Sequence, residues 1–284
     1  MEFGVYIAPT PDARVFASLA AEVEDRGFDS VFLPEHTHVP VDIQTDQPGG
    51  GMFAHDTFDG GDPFIHLAAA AMRTERILLG TGAALLPQHD PITLAKITST
   101  LDVMSQGRVL LGLGAGWSRK ELERHGVRRE DRWPVFREKL LAMKAIWNND
   151  VAEFHGEHVD FEAIAQWPKP VQPGGIPINV CANGPTALAI AAEAADGWQP
   201  HLIPGRPPLP FREKIAELRE ATEKHGRAEL PITFFVFNND PDPAQVAEFE
   251  DAGVSRCVYR ISPREPDEIK ARLDAAQRVV ASFG

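Results

Sequence analysis

Several short stretches of this 284-residue chain combine residue types and spacings that could do chemistry. Glu35-His36-Thr37-His38 offers His36 as a proton donor or acceptor near neutral pH. His36 and His38 supply two metal ligands at most, and a metal site needs three or four that converge. His155 and His158 lie far off in sequence, so no metal is expected. A solvated loop histidine is the plainer account of His36. Gly80-Thr81-Gly82-Ala83-Ala84 sets paired glycines at the end of an apolar run, where a bulge forms or a ligand nears the main chain. Ordinary rim geometry explains that pair equally well.

Gly112-Leu113-Gly114-Ala115-Gly116-Trp117 follows another apolar run. A dinucleotide-binding turn needs GxGxxG and an acid roughly 20 residues later. Trp117 takes the third glycine's place and Arg132 the acid's, which argues against that reading. What remains is a tight strand-to-helix turn, open to close approach by a ligand. Cys181-Ala182-Asn183-Gly184-Pro185-Thr186 places small residues at a helix start. Free main-chain N–H groups and the helix dipole favour an anion there, so it is the best phosphate candidate. An Asn/Gly helix cap is the alternative. Between Arg119 and Lys139, eight Lys or Arg stand against five acids: either a solvated helix face or a counter-charge for an anionic ligand. GxSxG, P-loop, HExxH and CxxC patterns are absent, which leaves serine hydrolase, P-loop NTPase and zincin chemistry without support.

The elements that must position these stretches repeat one pattern. Phe3 to Ile7 is apolar, and Thr10-Pro11-Asp12 supplies a cap, a first-turn proline and an acid. Val15, Phe16, Leu19, Ala20 and Val23 then line one helix face up to Gly27. Asp62-Pro63, Asp90-Pro91 and Asp242-Pro243 open further helices. Apolar runs at Ser30 to Leu33, Ile77 to Leu79, Val109 to Leu113, Ile176 to Cys181, Gly197 to Gln199, Ile232 to Phe237 and Arg256 to Ile261 complete eight strand candidates, each followed by a helix. Nearly continuous apolar strands alternating with helices imply a parallel sheet covered on both faces. Eight units favour a closed (β/α)8 TIM barrel over an open doubly wound sheet, as one domain over residues 1–284. Two stretches interrupt the alternation. Pro34 to Gly61 is a long loop after the second strand, on the barrel face where active sites form. Ala152 to Phe161 reads as a short hairpin insertion turning at Gly156.

The segment Thr81 to Trp117, TGAALLPQHDPITLAKITSTLDVMSQGRVLLGLGAGW, resembles the luciferase-like monooxygenase superfamily. So do Asn179 to Trp198, the hairpin Phe154-His155-Gly156-Glu157-His158, Trp167-Pro168-Lys169-Pro170 and the start of the chain. Within it the chain is most similar to oxidoreductases that use the deazaflavin coenzyme F420. The resemblance implies a barrel, a homodimer and a cofactor at the C-terminal face. It puts a non-prolyl cis peptide at Gly82–Ala83 behind the ring, and the cofactor phosphate at Ala182, Asn183, Gly184, Pro185 and Thr186. Gly114, Ala115, Gly116 and Trp117 would contact cofactor or substrate, and His36 would act as the catalytic residue near the reactive ring. There are departures. Sugar-phosphate dehydrogenases of this kind carry an acid after the fourth-strand glycines, where this chain has Trp117. Pro200 to Leu230 is short beside the luciferases' insertion, which argues against long-chain aldehyde chemistry.

The expectation is therefore an F420-dependent oxidoreductase acting on a small organic substrate. FMN-dependent monooxygenation, a non-catalytic flavin-binding protein and an unrelated sugar-phosphate barrel enzyme are the alternatives. A formal charge of −13 speaks against nucleic acid or anionic membranes as partners. No run reaches the roughly 18 apolar residues of a membrane span. Neither a secretory signal nor a disulfide framework is evident, since Cys181 and Cys257 form no motif, so a cytoplasmic location is expected.

Overall fold

The computed structural model describes residues 1–41, 59–202, 209–237, 242–262 and 266–283. Parallel strands form one curled sheet. β1 (Glu2–Ile7) lies between β12 (Arg256–Ile261) and β2 (Ser30–Leu33). Next come β3 (Leu78–Thr81), β5 (Val109–Gly114), β8 (Ile178–Val180) and β9 (Gly197–Trp198). On the other side β12 pairs with β11 (Thr233–Val236), and β11 with the two-residue β10 (His201–Leu202). A parallel bridge between Trp198 and Ile232 closes the ring, and the Trp198 N–H donates to the Pro231 carbonyl at 3.0 Å. This is the expected TIM barrel.

Helices α1 (Ala13–Asp25), α2 (Pro63–Ala71), α3 (Pro91–Ser105), the short α4 (Arg119–Arg124), α5 (Arg132–Asn148), α6 (Pro185–Ala194), α7 (Phe211–Lys224), α8 (Pro243–Ala252) and α9 (Pro266–Val280) follow the strands. The side chains of Asp62, Asp90, Ser118 and Asp242 cap α2, α3, α4 and α8. At α1 the cap is Asp12 and the helix begins at Ala13, two residues later than Thr10-Pro11 implies. The Thr10 carbonyl is taken by the Gly61 N–H and by His66 Nε2 at 2.9 Å, which ties that residue to α2. β6 (Ala152–His155) and β7 (Asp160–Ile164) make the expected hairpin. The Glu138 carboxylate on α5 accepts the N–H groups of Glu157, His158 and Val159, so the turn is anchored to the barrel. Of the loop after β2, residues 42–58 lie outside the described residues.

Alternate residues of each strand face opposite layers. Val5 and Ile7 join the large core between strands and helices, while Tyr6, Ala8, Phe32, Leu110, Phe235 and Val258 pack inside the barrel. The interior is crowded at mid-height. A Cβ on Gly80 would lie 2.3 Å from the Phe32 ring, and one on Gly112 would lie 2.1 Å from the Thr81 carbonyl oxygen.

At the opposite end, the buried Glu24 carboxylate accepts the N–H groups of Arg76 and Ile77 at 2.7 Å and Glu75 at 3.1 Å. Burial alone would raise its pKa, but these three donors outweigh it and hold the carboxyl below its ordinary 4.5. Glu24→Gln is expected to cost about 2 kcal/mol in urea unfolding at pH 7. Because the folded value is depressed, that contribution is full above pH 4.5 and fades as pH falls through the folded value. The gap between the two proteins should therefore narrow on acidification.

Candidate active site at the strand C-termini

The ends of β2, β3, β5 and β8 are neighbours, and they carry the candidate stretches. The Gly82–Ala83 peptide is cis, where the resemblance implies it. The main chain then steps sideways into β4 (Ala84–Leu85), which pairs with the end of β5. Both sides of this step are clamped by the end of β2. The Gly82 N–H donates to the Leu33 carbonyl at 2.8 Å, and the Glu35 N–H to the Ala83 carbonyl at 3.0 Å. The Glu35 carboxylate, itself buried, accepts the Leu85 N–H at 2.6 Å and lies 2.8 Å from His89 Nε2.

Gly114 joins this step to the next strand end. A Cβ there would sit 3.2 Å from the Ala83 Cβ and 3.6 Å from the Cys181 carbonyl oxygen. Ala115 turns its side chain into the helix-side core, so only its main chain is available to a ligand. Gly116 has φ 78°, a left-handed conformation that glycine adopts without strain.

Asn183 is not a helix cap. Its side chain bridges to β10, donating to the His201 carbonyl at 2.9 Å and accepting the His201 N–H at 3.2 Å. Trp198 Nε1 fixes the Ala182 carbonyl at 2.8 Å. Gly184 is the cap residue of α6, with no side-chain hydrogen bond, and Pro185 opens the first turn. Space beside Gly184 is open, and Thr186 is exposed. The Ala182–Thr186 turn thus presents an uncapped helix start to solvent, the arrangement an anion favours. Burial pushes the neighbouring His201 imidazole down to about 4, so it is neutral at pH 7. Burial likewise raises the Cys181 thiol, which leaves it unreactive.

His36 stands just beyond β2. Its Nδ1 lies 2.9 Å from Glu121 Oε2, with 14% of the His36 side chain exposed and 1% of Glu121's. Trp117 meets the His36 ring edge-on, centroids 5.6 Å apart. His36 is therefore a held group, not a solvated loop histidine. Glu121 was invisible as its partner: in sequence it is one acid in a basic stretch. Ser118-Arg119-Lys120-Glu121 does have capping-box spacing. Ser118 Oγ accepts the Glu121 N–H, but the carboxylate bonds His36 instead of turning back to the cap.

The basic stretch itself is largely spent within the protein. Arg119 pairs with Glu123, Arg128 with Asp131, and Arg137 with Glu193. Lys139, pushed down to about 8 by burial, donates to the Pro87 and His89 carbonyls. The solvated-face reading fits these pairs better than a counter-charge for a ligand.

Beside Gly82, whose Cβ position lies 2.9 Å from the Phe235 ring, are side chains that sequence reasoning did not single out. Tyr6, Phe235 and Phe237 form an aromatic group, with the Tyr6 and Phe237 centroids 4.9 Å apart. Arg260 is in register with Tyr6 at the end of β12. Strand alternation could have found them once the strands were placed. Among the described residues no three His, Cys, Asp or Glu converge as metal ligands, and no helix is long and apolar enough to cross a membrane.

An uncharacterized protein of Mycobacterium tuberculosis is 36% identical over 278 residues, covering 96% of each chain. An F420-dependent glucose-6-phosphate dehydrogenase of Nakamurella multipartita is 30% identical over 216 residues, 74% of this chain and 58% of that one. The structure of an F420-dependent secondary alcohol dehydrogenase in complex with an F420-acetone adduct has the same fold, with a TM-score of 0.80 at 17% identity over 98% of this chain and 97% of that one. The family described as luciferase-like monooxygenase matches residues 1–276. With that match over a closed barrel whose candidate site lies at the strand C-termini, the chain belongs to the luciferase-like monooxygenase family.

Proposed function

We propose that this chain is an F420-dependent oxidoreductase that transfers hydride between the deazaflavin and a small organic substrate. The observation that carries the reading is the contact of three strand ends at Gly114. The Gly82–Ala83 step and the Cys181 carbonyl meet there, with the Phe235 ring packed on the Cβ side of Gly82 and main chain alone at Gly114. A flat ring fits against such main chain, and the uncapped turn from Ala182 to Thr186 would hold a phosphate on the same side. The relative from Nakamurella multipartita, F420-dependent by name, supports the choice of cofactor. Trp117, in place of an acid after the β5 glycines, argues against a sugar-phosphate substrate.

When bound, the deazaflavin supplies two-electron hydride chemistry, and the protein supplies binding, orientation and exclusion of water. In this chain His36 holds or moves a proton through Nε2, and Nδ1 is committed to Glu121. The aromatic group of Tyr6, Phe235 and Phe237 shapes the apolar side of the mouth. A titration of the purified protein with oxidised F420, and separately with FMN, tests the assignment. Saturable binding of F420 at about micromolar concentration, with FMN at least about tenfold weaker, is expected. Preference for FMN, or binding of neither, overturns it.

A further inference from the structure

We propose that Glu121 is the positioning residue for His36: its buried carboxylate fixes the proton on Nδ1, leaves Nε2 as the exchanging edge and balances the imidazolium charge. The pairing is a matter of geometry, while its catalytic value rests on the role given to His36 above.

A carboxylate buried to 1% exposure costs free energy unless it is paired. The Glu121 carboxylate has one hydrogen-bond partner among the described residues, His36 Nδ1 at 2.9 Å to Oε2, and Oε1 has none. Among the described residues no other group nearby takes that role. Glu35 is occupied by the Leu85 N–H and His89. His38 and His125 meet at the Thr37 hydroxyl, 3.1 and 2.7 Å from it, and the same hydroxyl donates to Gln88. Burial, then His38, push the His125 imidazole down, so it adds no cation to compete for Glu121.

The carboxylate is also held in place. Ser118 fixes the Glu121 N–H, and the next residue, Leu122, is buried beneath Gly116. Trp117 bounds the imidazole from a second side, its plane at 70° to the ring. Since Nδ1 keeps its proton for Glu121, the neutral ring is bare at Nε2. A proton that arrives at Nε2 makes the imidazolium, whose charge the adjacent carboxylate balances. The proton leaves by the same edge, and Glu121 itself is not consumed.

The test is nitrogen NMR of the imidazole groups in the chain without cofactor, for the wild type and Glu121→Gln. At high pH the wild-type His36 should be the Nδ1–H tautomer, opposite to the usual preference of a free imidazole. A neutral His36 carrying its proton on Nε2 overturns the proposal, and this measurement needs no variant that folds. With F420 and a turned-over substrate, Glu121→Gln should lower kcat/KM by about tenfold or more and move the His36-dependent limb of its pH profile. F420 affinity should stay within about threefold, and Glu121→Asp should restore part of the limb's position. An unmoved limb in Glu121→Gln overturns the proposal. If the wild type shows the Nδ1–H tautomer yet binds no F420, the cofactor assignment fails and the pairing stands.

Discussion

His36→Asn is expected to lower turnover by about 10²- to 10⁴-fold, the range of a lost proton-transfer group. F420 affinity should remain within about tenfold of wild type, because the proposed phosphate turn and glycine wall lie on other strand ends. Asn is a better replacement than Ala. Its amide can still donate to Glu121, whereas Ala would leave that buried carboxylate with no partner and add about 1–3 kcal/mol of destabilisation unrelated to catalysis. Steady-state kinetics on the deazaflavin absorbance, together with the binding titration, check both halves. Unchanged turnover would remove His36 from the chemistry.

Gly112→Ala should be the most damaging glycine-to-alanine change among the described residues. The added carbon would lie 2.1 Å from the Thr81 carbonyl oxygen and 2.5 Å from the Gln199 amide. Neither can step aside. Thr81 is main chain in β3, its hydroxyl donates to the Gly112 carbonyl at 2.7 Å, and Gln199 is buried and bonded to the Thr81 carbonyl at 3.2 Å. A loss of about 4 kcal/mol or more is expected, read as a Tm lower by roughly 8 °C or as insoluble protein. Gly184→Ala is the control. Nothing lies within 4 Å of its added carbon, so its Tm should stay close to wild type. Equal stability of the two variants would mean that β3 and β5 are not packed as described.

The barrel was legible because its signals are local. Aspartate-proline pairs at 62–63, 90–91 and 242–243 mark helix starts, and the observed caps are those aspartates. Apolar runs at Val5, Leu79 and Leu111 mark strands buried on both faces. Two-residue strands such as β4 and β10 carry no periodicity and were not legible. The candidate site was legible in part for the same reason. Each glycine pair, like the turn at 181–186, is contained within a few residues of the chain. His36 and Glu121 are 85 positions apart, and only the folded chain brings them together. Asn183 shows the opposite error: its type and place suit a helix cap, but tertiary structure gives its amide to β10.

The two halves of the barrel mouth differ in how they respond to mutation. On the β3 and β5 side the proposed cofactor surface is main chain at the Gly82–Ala83 step and at Gly114, which changes little unless the residue itself or the Phe235 ring packed on Gly82 is replaced. The β1, β11 and β12 side carries the side chains of Tyr6, Phe237 and Arg260, which exchange shape and charge with each substitution. Variation can therefore accumulate on one side while the other keeps its form. Libraries meant to change which molecules this barrel accepts belong at those three positions, and the glycines are best left as they are.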